Sequence, residues 1–147
     1  MTILIAYDGS EDAKAAVAFA GPLLKGQRAV VLTVWERAVT VPVGLMMPVG
    51  HSAEEDDAMR GAMERLAAEG TELARQAGLD ATPRAEIRPA AVWSSIVEVA
   101  AELDATLIVT GTRGLGGLTS LLVGSTANRV LHHADRPVLV VPAPKTG

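Results

Sequence analysis

Five short strand-like runs are spaced along this chain, with helix-length amphipathic segments between them. They are Thr2–Tyr7 (TILIAY), Ala29–Trp35 (AVVLTVW), the weaker Thr82–Arg88, Thr106–Thr110 (TLIVT) and Pro137–Val141 (PVLVV). Short apolar runs bounded by turn residues read as strands buried on both faces, which is the habit of parallel sheets. Strands alternating with helices restrict the architecture further, because each parallel connection needs a crossover that covers a face of the sheet. The expected fold is therefore α/β: an open, Rossmann-like, five-stranded parallel sheet with helices on both faces.

The intervening segments carry helix signals. Glu11 and Asp12 fill the first turn of a helix capped by Ser10 or Asp8, with Ala13, Val17, Ala20 and Leu24 on its inner face. Ser52-Ala53-Glu54-Glu55 is a capping box. It opens a long helix to about Ala77, with Met59, Ala62, Met63, Leu66, Leu73 and Ala77 as the expected apolar stripe. A third helix spans Ala91–Leu103, with Ile96, Val97, Val99, Ala100 and Leu103 inward. A fourth runs from Gly124 to Ala134, with Ala127, Val130 and Leu131 inward. Residues 38–51 have no period and hold Pro42, Gly44, Pro48 and Gly50 among Val and Met. They read as an apolar loop, either folded onto the core or serving as a lid or contact surface.

A length of 147 residues fits one domain, able to bury about two thirds of its unfolded surface. The chain is 49% hydrophobic, yet its aromatics are only Tyr7, Phe19, Trp35 and Trp93, so the core must be aliphatic. Without cysteine there are no disulfides or thiolate metal sites. No apolar run reaches the roughly 18 residues of a membrane span, and no basic leader precedes the first strand. The chain reads as soluble and cytoplasmic. Its net charge of −4 and lack of basic runs argue against a nucleic-acid surface.

The chemistry concentrates at two strand ends. After the fourth strand come Thr110-Gly111-Thr112-Arg113-Gly114; nine residues later come Gly124-Ser125-Thr126 and a helix. Glycines at a strand–helix junction let backbone N–H groups approach an anion, and Ser125 and Thr126 add hydroxyls that can also cap the helix. Arg113 can pair with a phosphate or lie in solvent. The first strand ends at Asp8-Gly9-Ser10. Ligands of open α/β sheets sit beyond the carboxyl ends of the strands, where strand order reverses. If strands one and four are neighbours, both junctions face one crevice. Asp8 would there meet ribose hydroxyls or a phosphate-bound Mg²⁺, or else act as a plain helix cap.

Two familiar phosphate loops are ruled out. A P-loop needs a lysine at its end, and no lysine stands between Lys25 and Lys145. A dinucleotide fingerprint needs three spaced glycines after the first strand, where only Gly9 stands. His132 and His133 are adjacent on a helix and point apart, so they make a poor metal pair. No Gly-x-Ser-x-Gly elbow is present.

Gly111-x-x-Gly114, nine residues, then Gly124-Ser125-Thr126 resembles the ATP-binding signature of the universal stress protein family. Three further stretches resemble its opening, fourth and closing strands: Ile3–Ser10, Leu103–Gly111 and Ala134–Val141. The resemblance covers nearly the whole chain. It implies a sheet ordered 3-2-1-4-5 and ATP, with Mg²⁺, as ligand. It implies Ala6 beside the nucleotide, Val34 at adenine, and Asp8 at the ribose and metal. Thr110 and Gly111 fall at the start of the phosphate loop, and Gly114, Gly124, Ser125 and Thr126 at ribose and phosphate. It also implies a homodimer through the strand at 137–141, whose two apolar faces and unblunted edge suit a two-fold partner. The chain departs from the family at Arg88-Pro89-Ala90-Ala91-Val92, which lacks the usual Gly-x-Pro. It departs again at Thr106, where an acid is common.

Three functions fit these residues. The first is an ATP-binding stress-protective or regulatory protein. The second is a slow ATPase or phosphotransferase, which needs a base or water-positioning group; the sequence offers only Asp8 for it, with no evident partner. The third is a dimeric interaction module that binds no nucleotide.

Overall fold

The computed structural model describes residues 1–37, 53–112 and 124–143. The chain alternates as expected: β1 (Thr2–Ala6), α1 (Glu11–Leu23), β2 (Arg28–Glu36), α2 (Ala53–Gln76) and β3 (Asp80–Arg88), then α3 (Val92–Glu102), β4 (Leu107–Gly111), α4 (Ser125–His133) and β5 (Val138–Val141). The strands form one five-stranded sheet in the order β3-β2-β1-β4-β5. Every neighbouring pair is parallel. The 38–51 loop and the Ser52 capping box fall outside the described residues.

Side-chain alternation along the strands divides the core in two. Ile3 and Ile5 of β1, with Ala29 and Val31 of β2, pack on Ala13, Ala16, Val17 and Ala20 of α1 and Ala74 of α2. Leu4 and Leu32 face the other way and pack on Ile96, Val99 and Ala100 of α3 and Val130 of α4. Two helices therefore cover each face of the sheet. In the central strand, Ile3, Leu4 and Ile5 are fully enclosed.

The α2 stripe differs from its sequence expectation. The residues buried on this helix are Ala67, Gly70, Thr71 and Ala74, while Leu66 and Leu73 pack only partly against the core. Met59, Ala62, Met63 and Ala77 are partly exposed. Small residues line the contact because the helix lies against an aromatic ring: a Cβ on Gly70 would stand 2.7 Å from the Tyr7 ring. Leu131 of α4 also departs from expectation and is 44% exposed, since Ala127 and Val130 alone complete the inner face of this short helix.

Candidate functional site

The reversal of strand order falls at β1, which has β2 on one side and β4 on the other. The junctions β1–α1 and β4–α4 therefore leave the sheet side by side. Ile5 is paired with Val109. One residue further along, Ala6 and Thr110 lie level on adjacent strands, about 4.8 Å apart across the sheet. By alternation both share the face of Leu4 and Ile108, the face covered by α3 and α4. Ala6 pairs with Leu32 of β2, and Val34 lies two residues further on that strand, packed against the same cluster. Ala6, Val34 and Thr110 thus meet at one end of one face, as the strand order requires.

Asp8 and Ser10 divide the roles that the sequence left open. Ser10 is the N-cap of α1, and its Oγ accepts the Ala13 N–H at 3.1 Å. Asp8 is not the cap. Its Oδ1 accepts the Ser10 N–H at 2.9 Å, so the carboxylate braces the turn from outside the helix. Gly9, between them, has φ +82°, a conformation that glycine adopts without a Cβ penalty.

Tyr7 anchors this turn from the opposite face. Its hydroxyl donates to Glu69 of α2 at 2.9 Å, and its carbonyl accepts from Thr33 Oγ1 at 2.9 Å. Burial holds the phenol far above its ordinary pKa. The hydrogen bond to Glu69 and the charges of Glu69, Asp8 and Glu11 act in the same direction.

At the second junction, Thr110 is buried and its Oγ1 donates to the Gly111 carbonyl at 3.1 Å. Gly111 closes β4 opposite Val141. Its missing side chain has a clear local use, because a Cβ there would stand 2.8 Å from the carbonyl carbon and oxygen of Asp12. The first turn of α1 therefore rests directly on the end of β4. Thr112 follows and makes two contacts. Its Oγ1 donates to Asp12 Oδ2 at 2.7 Å, and its carbonyl accepts the Gly124 N–H at 2.6 Å. Neither Asp12 nor Thr112 stood among the sequence candidates; Asp12 read only as a first-turn acid suited to the helix dipole. A signal was present, in a carboxylate two residues after one cap and a hydroxyl at the head of the glycine cluster.

Ser125 and Thr126 do not cap α4. The N-cap is Gly124, which makes no side-chain cap hydrogen bond, and Ser125 and Thr126 are the first residues of the helix itself. An N-cap glycine carries no acceptor of its own for the first-turn N–H groups, which suits them to an acceptor from elsewhere. The Gly124–Thr112 bond places this helix start at the end of β4. Arg113 and Gly114 lie outside the described residues. No group of three His, Asp or Glu able to hold a metal occurs among the described residues. Asp8 by itself does not make a metal site, and a cation there would need oxygens from a ligand. No helix among the described residues is long and apolar enough to cross a membrane.

These features define a class: an open α/β domain with two strand–helix junctions converging at the reversal of its strand order. The universal stress protein family model matches residues 1–142, and the chain belongs to that family. It is 39% identical over 142 residues to a universal stress protein of Thermus aquaticus, covering 95% of this chain and 97% of that one. A universal stress protein solved in complex with cAMP superimposes with a TM-score of 0.68 at 23% identity, covering 98% of each chain. The Archaeoglobus fulgidus universal stress protein in complex with dAMP gives a TM-score of 0.64 at 23% identity, covering 96% of this chain and 97% of that one.

Proposed function

We propose that this protein binds an adenine nucleotide, ATP with Mg²⁺ in its full form, at the carboxyl ends of β1 and β4. We further propose that it acts as a homodimeric stress-protective or regulatory protein rather than as an efficient catalyst. One observation carries the reading: the N-cap of α4 is Gly124, which has no side chain to cap with, and Thr112 holds that start beside the β1–β4 reversal. Phosphate oxygens are the acceptors such a start suits. The two similar structures with bound cAMP and dAMP support an adenine nucleotide as the ligand.

In this reading Ala6 and Val34 line the base, with the Val34 backbone facing adenine. Asp8 accepts from the ribose hydroxyls or ligates the phosphate-bound Mg²⁺. Thr110, Gly111, Arg113 and Gly114 belong to the phosphate loop. Gly124, Ser125 and Thr126 supply N–H and hydroxyl donors to ribose and phosphate.

The test begins with gentle purification and mass spectrometry for co-purified adenine nucleotide, followed by calorimetric titration of ATP and Mg²⁺. Wild type is expected to bind, with no product released over hours. Gly124→Val puts a branched side chain where phosphate approaches and should abolish binding while leaving the circular dichroism spectrum native. Equal binding by both proteins would refute the assigned cradle.

A further inference from the structure

Three elements meet at Thr112. Its hydroxyl donates to Asp12 Oδ2 in the first turn of α1, and its carbonyl holds the Gly124 N–H at the start of α4. Asp12 is only 7% exposed, deeper than a surface acid in a first helical turn needs to be. The end of β4 at Gly111 also abuts its backbone, with no room for a Cβ between them. A charge-assisted hydrogen bond of 2.7 Å from Thr112 Oγ1 to this carboxylate pins the residue whose carbonyl receives the Gly124 N–H.

We propose that Asp12 and Thr112 are positioning residues for the phosphate end of the nucleotide: Asp12, through Thr112, sets where the first turn of α4 stands relative to Asp8 and β1. The inference rests on the nucleotide reading above and deepens it. Neither side chain needs to touch the ligand. Asp12 and Asp8 lie on the same junction, so the relay ties both halves of the crevice to one rigid piece, the Ser10-capped start of α1. Moving a donor array by a fraction of an ångström weakens contacts to phosphate more than contacts to the base, because phosphate contacts are short and directional.

Thr112→Val is the informative variant. It is nearly isosteric, removes the hydroxyl and keeps the carbonyl that holds Gly124. Titrations with ATP and with adenosine, which lacks phosphates, separate positioning from general damage. Thr112→Val should weaken ATP about tenfold and leave adenosine affinity unchanged. Thr112→Ser, which keeps the hydroxyl, should restore ATP affinity. Asp12→Ala should also weaken ATP, and its effect should shrink in the Thr112→Val background, because the two side chains share a contact. Wild-type ATP affinity in Thr112→Val, or equal losses for ATP and adenosine, would overturn the positioning role and leave the nucleotide reading standing. A wild-type protein that binds neither ligand would overturn both.

Discussion

Tyr7 is the only tyrosine in the chain, and it reports directly on the β1–α1 turn. Its side chain is 2% exposed, and burial, reinforced by the bond to Glu69, raises its pKa well above the ordinary 10.0. In the unfolded chain the phenol ionises near that ordinary value. In the folded protein it keeps its proton to higher pH. The folded state therefore binds more protons above pH 10, and stability falls as pH rises beyond that point. Below the unfolded pKa the contribution is fully present. We expect the tyrosinate absorbance of the folded protein to stay flat through pH 10–11 and to appear only with unfolding. Tyr7→Phe should remove this part of the alkaline loss of stability, seen in urea midpoints at pH 8 and pH 11. A smooth titration centred near 10 in a folded protein would contradict the buried, Glu69-bonded phenol. Nothing in the sequence pointed to this pair, because Tyr7 and Glu69 are joined only when α2 crosses the end of β1.

At the scale of elements, the sequence read strands better than helix faces. Consecutive buried residues in the middle of β1 and β2 follow from nearly unbroken apolar runs there, so both faces had to be covered. The α2 stripe failed because large apolar residues were taken as the inner face. Close approach to Tyr7 instead selects Gly70 and its small neighbours, and hydrophobicity does not signal proximity. Gly111 makes a related point. Its place in a glycine cluster suggested contact with phosphate, whereas the structure also gives it a packing role under α1. Gly111→Ala would press a Cβ against the Asp12 backbone, which cannot swing aside as a side-chain tip can. It should cost about 1–3 kcal/mol, measured as a lower urea midpoint at unchanged slope. Gly61→Ala is the opposite case. Its nearest neighbour is the flexible Arg65 guanidinium at 3.5 Å, and the position is helical, so it should gain about 0.5–1 kcal/mol. Destabilisation by both changes alike would argue against the α1–β4 contact as the cause.

For the whole molecule, alternation of elements was enough to read a parallel sheet, but not the order of its strands. Pairing β1 with β4 joins segments about a hundred residues apart, and nothing local in either strand specifies the other. The order came from resemblance to the family and matches the structure. One edge of that sheet is β5, and its hydrogen bonding shows which groups remain for a partner. Ile108 N–H bonds the Pro137 carbonyl at 3.0 Å, so Pro137, Leu139 and Val141 turn their backbone groups toward β4. Val138 and Val140 turn theirs outward. A second copy related by a two-fold axis can pair with these outward groups and bury the apolar edge, which is the arrangement proposed above. Val140→Pro removes one outward N–H and places a ring on the free side, while the bonds that Leu139 and Val141 make to β4 remain. Wild type at micromolar concentration should elute with the mass of a dimer by light scattering. Val140→Pro should elute as a monomer with native circular dichroism, because the change acts on the edge and not on the sheet behind it. A wild-type monomer would exclude pairing through β5. A dimer that survives the proline would place the interface on another surface.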